Sequence, residues 1–393
     1  MSIEEIRQAR VALACLVEPG TVEVYQLVAQ YGPVGAVEAL VAGQVPERLA
    51  AAVQARLAGT DAARLTEQAL ARTDRLGARV VIPEDDEWPN QLADLHRISR
   101  PGPMRVDQDT YPPVCLWVRG APPLGEALDR SVAVVGARAS TSYGNHIAVE
   151  LAFGLANRDW AVVSGGAYGI DAAAHRGALS AGGVTAVVLA CGVDRAYPAA
   201  HASLFERVIE DGLLISEWPP GAEPHRYRFL VRNRVIAGLS RGTVIVEANA
   251  RSGARQTLGR AALLGRVAMA VPGPVTSAMS VGCNQAIRLG TARLVTSYAE
   301  VLEEVGRIGV DLAPVPRGPE EDRDRLGPEL SRILDAVPFR GPVDAGQIAA
   351  RAGVPVRDAL RALPLLESAG LVVTRDGGYV VAPRPVGTDG AAA

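Results

Sequence analysis

Lysine is absent from the sequence, so all 40 basic residues are arginine. Such a bias reflects base composition more than function, but it leaves every cationic contact to the guanidinium fork, which can hold phosphate through two donors at once. Cysteine is scarce. Cys15, Cys115, Cys191 and Cys283 lie far apart, with no Cys-x-x-Cys pair and no histidine at ligand spacing, which argues against a disulfide framework and a metal site. No run reaches the roughly 18 uninterrupted apolar residues of a membrane span, and residues 1–10 carry Glu4 and Glu5 where a signal peptide would be apolar. A cytoplasmic protein with no membrane partner is expected. There is no excess of positive charge either: the formal net charge is −3, so any nucleic-acid site must be a local patch. Walker loops are missing, and no loop reads Gly-x-Gly-x-x-Gly, so no cofactor is expected and catalytic residues are not assigned.

What is present is material for a core, with 48% hydrophobic residues in a chain of 393. Residues 1–75 read as small helices punctuated by glycine, and are expected to form a separate helical domain. In the proline-rich passage 82–123 that follows, the apolar piece 114–118 suits an edge strand. From Ser131 short β-branched runs, at 132–135, 161–164, 185–189, 213–216, 243–246 and 267–271, alternate with helical segments. This rhythm predicts an α/β fold, an extended Rossmann-like, doubly wound and mostly parallel sheet spanning 76–305, its apolar strands covered on both faces. Residues 306–327, rich in proline, glycine and charge, read as a linker. The segment 328–383 predicts three helices, at 328–337, 344–352 with Asp344 as N-cap, and 356–368 with a kink at Pro364. A hairpin around Asp376-Gly377-Gly378 follows, completing a winged-helix-like layout, and 384–393 is expected to be a disordered tail.

Ligands of open α/β sheets bind beyond the carboxyl ends of the strands, and here the loops leaving those ends are glycine-rich. The first contains Gly136, Arg138, Thr141, Tyr143 and Gly144 and opens a helix, where backbone N–H groups attract anions. The second contains Ser164, Gly165 and Gly166, whose lack of side-chain bulk would let a phosphodiester approach. A third group is Arg232, Asn233 and Arg234, preceded by Arg226, Arg228 and Phe229; arginines beside an aromatic ring suit a nucleic-acid strand, whereas ion pairs with carboxylates such as Glu217 or Glu247 are the bland alternative. A fourth is Ser252, Gly253 and Arg255. Glu247 reads as a group that orients Arg232 or Arg234 rather than as a general base. Asp171 reads as a helix cap with His175 packed nearby, rather than as a catalytic pair four residues apart.

In this order the motifs Gly136-Ala137-Arg138, Thr141-Ser142-Tyr143-Gly144, Ser164-Gly165-Gly166, Gly169-Ile170-Asp171, Ala174-His175, Tyr197-Pro198, Arg232-Asn233-Arg234 and Pro272-Gly273 resemble the DprA/Smf family of DNA-processing proteins. The likeness spans about residues 80–302. It implies an extended Rossmann domain that binds single-stranded DNA, forms a homodimer and helps load RecA. By position, Arg138 would be the phosphate-binding arginine, Ser164 to Gly166 would give backbone contacts, and Arg232 and Arg234 would line one basic pocket. The resemblance likens the first domain to a sterile-alpha-motif or helix-hairpin-helix unit. Tyr168, Leu230 and His201 depart from the family pattern, Tyr168 by standing where an arginine is usual. Two further readings are carried: a nucleotide-hydrolysing enzyme similar to cytokinin-activating phosphoribohydrolases, and duplex binding by the last domain through Arg357 and Arg361.

Overall fold

The computed structural model describes residues 2–98, 111–314 and 322–383. Two compact units divide at residues 313 and 314.

The first unit opens with helices α1 (Ile3–Leu16), α2 (Val22–Val41), α3 (Glu47–Leu57) and α4 (Ala62–Arg75). Ser2 and Glu5 close a capping box on α1, and Asp61 caps α4 by accepting from the Arg64 N–H. The sheet follows: β1 (Arg79–Val81), β2 (Leu116–Arg119), β3 (Ser131–Val135), β4 (Ala161–Ser164), β5 (Thr185–Val188), β6 (Leu213–Ser216), β7 (Gly242–Ile245), β8 (Val267–Ala270) and β9 (Arg293–Leu294). Interleaved with it are α5 (Leu124–Asp129), α6 (Ser142–Ala156), α7 (Ile170–Ser180), α8 (Ala202–Asp211), α9 (Arg226–Leu239), α10 (Ala254–Leu263), α11 (Val281–Arg288) and α12 (Tyr298–Val305). Among the described residues the strand order is β1-β2-β6-β5-β4-β3-β7-β8-β9, parallel from β6 to β9, with β2 antiparallel to both β6 and β1.

Alternation along each strand explains the continuous apolar runs. Ala133 and Val135 face one core layer while Val132 and Val134 face the other, and β4 and β7 repeat the pattern. The piece expected as an edge strand is β2, which lies inside the sheet: β1, too short to announce itself in sequence, takes the edge.

The expected boundary near residue 75 does not separate two cores. Leu13, Leu16, Val24 and Leu40 make a small core of the N-terminal helices, but Val11 and Ala14 of α1 and Ala69 of α4 pack in one layer with Trp117, Val187 and Phe205. Paired Arg7–Asp85 and Arg10–Glu84 side chains, at 2.7 and 2.6 Å, tie α1 to the loop after β1. The unit boundary falls within the expected linker, 315–321 and the tail 384–393 lying outside the described residues.

The second unit contains α13 (Pro328–Ala336), α14 (Ala345–Ala352), α15 (Val356–Ser368), β10 (Val372–Arg375) and β11 (Gly378–Val381) around a core of Ile333, Ile348, Leu363 and Leu366. Asp344 caps α14 by accepting from the Gln347 N–H at 2.9 Å. The helix α15 continues through Pro364, where a kink was expected.

Candidate nucleic-acid interface

Strands β3 and β7 are neighbours from which the chain runs in opposite directions, β3 toward β4 and β7 toward β8, so the connections diverge and open a crevice at the carboxyl ends of the strands. There the loops after β3, β4 and β7, with the first turns of α9, surround a cleft of about 430 Å³. Gly136, Arg138, Phe229, Arg232, Asn233 and Ser252 all line it.

The first loop is held from below. Thr141 caps α6, its Oγ1 accepting from the Gly144 N–H at 3.2 Å, and that hydroxyl donates to Glu247 Oε1 at 2.6 Å while the Thr141 N–H donates to Oε2 at 2.8 Å. Glu247 therefore orients the first loop, in place of the Arg232 or Arg234 it was expected to orient. Gly144 is required by the same contact, since a Cβ there would stand 2.2 Å from the carboxylate. The loop holds Arg138 in the open: its side chain is exposed and its guanidinium carbon lies 5.1 Å from the centre of the Phe229 ring. Tyr143, 39% exposed, donates its hydroxyl to the Pro272 carbonyl at 2.7 Å.

The second loop is almost wholly consumed by its own fold. Ser164 donates to the Val134 carbonyl at 2.6 Å, and Asp171 accepts from the Gly165 and Ala167 N–H groups at 3.2 and 3.3 Å. Burial raises the Asp171 pKa, with Arg232 acting against it. The Gly165 carbonyl accepts from Arg232 Nη1 at 2.8 Å, and a Cβ on Gly165 would strike the Arg232 guanidinium at 2.5 Å. The bare backbone here admits an arginine rather than a phosphodiester.

On α9, Arg232 is 4% exposed and also donates to the Val188 carbonyl and to Asn233 Oδ1. Burial lowers its pKa to about 10, opposed by Asp171 and assisted by Arg138, which leaves it cationic at neutral pH as the inner charge of the cleft. Arg234 does not line the cleft: fully buried, it donates from Nη2 to Glu217 Oε1 at 2.7 Å. Residues two apart on a helix face opposite ways, so Arg232 and Arg234 cannot share one pocket. Arg234 Nε and Nη1 and Glu217 Oε2 have no further partner among the described residues. Arg228 is likewise drawn inward, its Nη2 and Nε donating to Glu18 at 2.6 and 3.1 Å, where Trp218 Nε1 also donates at 3.0 Å.

The fourth loop supplies the outer wall. Ser252 Oγ accepts from the Ala254 N–H at 3.3 Å, Arg255 caps its own loop by donating to the Ala250 carbonyl at 2.6 Å, and Gly253 has nothing within 4 Å of a would-be Cβ. Arg251, which sequence reading left out of the site, lines the cleft with an exposed side chain, as does Asn249, beside the half-buried Phe229. Its signal was position alone, between Glu247 and Gly253 in a strand-end loop. Tyr197 stands beside Phe229, ring centroids 5.4 Å apart, and Tyr168 stands beside His201 at 4.8 Å.

Asp171 and His175 take separate partners, the latter placing Nδ1 2.7 Å from Thr185 Oγ1, whose hydroxyl donates to the Val162 carbonyl. Burial lowers the His175 pKa to about 3. A histidine that binds its proton less tightly when folded than at its ordinary 6.5 supports the fold above that value and loses the contribution as pH falls. Stability is therefore expected to drop between about pH 6.5 and pH 3, and His175→Gln to flatten that part of the curve in urea melts recorded at several pH values. Among the described residues no group of three or more His, Cys, Asp or Glu side chains is placed to hold a metal, and no helix is long and apolar enough to cross a membrane.

Two exposed arginines, an inner buried one and an aromatic edge, at the switch point of a doubly wound sheet, define a Rossmann-like protein with a cationic crevice. The family model for DNA recombination-mediator protein A matches residues 79–306, and the chain belongs to that family. A Mycobacterium tuberculosis protein that carries the DprA name is 43% identical over 375 residues, covering 95% of this chain and 94% of its own. Escherichia coli Smf is 37% identical over 312 residues, 76% of each chain. The X-ray structure of DNA processing protein A from Streptococcus pneumoniae superposes with a TM-score of 0.62 at 32% identity, covering 78% of this chain and all of that one. The family is one of DNA-processing recombination mediators rather than enzymes.

Proposed function

We propose that the protein binds single-stranded DNA in the cleft between the loops after β3, β4 and β7 and, as a cytoplasmic homodimer, presents the strand to a RecA-type recombinase. The observation that carries the reading is the pairing of exposed Arg138 and Arg251 with Phe229 at one cleft: two cations for phosphates and a ring for a base. Arg232, Asn233, Gly136, Ser252 and Gly253 form the floor and wall, while Thr141, Gly144, Ser164, Gly165, Asp171 and Glu247 hold them in place. Titration of labelled oligothymidine and of a duplex of equal length against the full chain tests this. Single-strand preference that falls steeply with salt is the expected result; equal affinity for both forms, or binding indifferent to salt, would refute it. Recovery of recombinase activity on strands coated with single-strand-binding protein tests the loading step.

Two copies would meet along the β9 edge of the sheet, where Leu294 is 51% exposed and Leu289, just before β9, 63%. Leu294→Arg with Leu289→Arg is expected to convert a dimer to a monomer in sedimentation velocity while single-strand binding by one protomer persists. The second unit, with three helices and a hairpin extended by a bridge from Val343 to Tyr379, is read as winged-helix-like.

A further inference from the structure

Away from the cleft, the N-terminal helices border a groove of about 830 Å³ between α1, α2 and α4. Its floor is apolar and shallow in side-chain size: Ala9 and Ala12 of α1, Val34 and Val37 of α2, Leu70 and Ala71 of α4. The part of α2 that borders it follows a bend at Gly32, whose φ is 71°. The rim is acidic, with Glu5, Glu38, Glu67 and Asp74, and among the described residues no arginine lines the groove although the chain contains 40. Glu5 accepts from the Ser2 N–H, whereas no described residue forms an ion pair with Glu38, Glu67 or Asp74, all exposed.

On α4 the residues Ala63, Glu67, Leu70, Ala71 and Asp74 fall on one stripe at helical spacing. The stripe runs three turns, roughly 16 Å, the length of a helical segment of about 11 residues. Small side chains on three neighbouring helices let a fourth approach closely, as where an amphipathic helix lays its apolar face into a groove. The carboxylates repel nucleic acid and favour a cationic occupant.

We propose that this groove docks a basic amphipathic helix of a partner protein, apolar side chains on the floor and flanking lysines or arginines against Glu38, Glu67 and Asp74. The DNA reading of the cleft is not needed for this, and either can fail alone.

The probe is a labelled amphipathic peptide of about 14 residues, leucine along one face and arginine and lysine on the flanks, followed by fluorescence anisotropy with the full chain. A peptide of the same composition in scrambled order is the control. The patterned peptide is expected to bind at least about tenfold more tightly than the scrambled one. Glu67→Arg with Asp74→Arg, and separately Ala71→Trp, should each remove about that factor. All three positions are exposed, so the variants keep the fold, which circular dichroism verifies, and oligothymidine affinity should match the parent's. Equal binding of the two peptides, or undiminished binding by either variant, overturns the proposal. So does weakened oligothymidine binding by Ala71→Trp, which would assign the groove to nucleic acid, or an altered sedimentation coefficient of the variants alone, which would assign it to a second copy of this chain.

Discussion

Arg234→Ala is expected to lower the stability of the first unit by about 3–5 kcal/mol, because it leaves the buried Glu217 carboxylate without its cation. Neither group reaches solvent: Arg234 is 0% and Glu217 4% exposed, and the 2.7 Å bond is the contact that compensates both. Burial already raises the Glu217 pKa, with Arg234 pulling it down, so removing the arginine raises it further. A carboxyl that binds its proton more tightly folded than unfolded stabilises at low pH and withdraws that stability as pH rises through its folded pKa. The variant should therefore come nearest to the parent at about pH 5 and fall away toward about pH 8 in urea unfolding followed by tryptophan fluorescence. Replacing both partners, as in Arg234→Leu with Glu217→Leu, should recover most of the loss. Where the variant remains folded, its affinity for oligothymidine should equal the parent's; a selective loss of affinity with unchanged stability would return Arg234 to the DNA site.

The opposite pattern is expected for the two exposed arginines. Arg138→Ala with Arg251→Ala should weaken oligothymidine binding about 100-fold, a factor of about ten for each charge-assisted phosphate contact. The log–log salt slope should become shallower by about 1.4, twice the roughly 0.7 that each neutralised phosphate contributes on a single strand. Thermal stability should stay with the parent, since neither side chain has an ion-pair partner among the described residues and both are exposed. Full affinity with an unchanged slope would place the strand elsewhere on the molecule.

The sheet and the loops of the site were legible because their signals are local. Six β-branched runs appear as strands within a residue or so of where pattern put them, and glycine marked the loops that converge. What escaped was set by phase and by partners distant in sequence. Arg232, Asn233 and Arg234 look like one basic cluster in a row of letters, yet the helix turns 232 toward the cleft and 234 toward Glu217. Nothing near Glu247 announces that its partner is Thr141, more than a hundred residues earlier. Strands β1 and β9, of three and two residues, are too short for any periodicity, and their pairing depends on neighbours already in place. Gly165, read as room for a phosphodiester, proved to be room for an arginine, and Gly144, read as part of an anion-attracting helix start, to be room for a carboxylate. Only Gly253 leaves open space at the cleft.

Glu18, in the turn between α1 and α2, ends up governing what can be removed from this chain. Its carboxylate is the acceptor for Trp218, in the loop after β6, and for Arg228, in the first turn of α9, and it also pairs with Arg56. A protein trimmed to the family-matched segment 79–306 would strand Arg228 without its counterion and bare the flank of Trp117. The smallest stable version of the first unit thus begins with the first helix of the chain, far upstream of the loops that line the cleft.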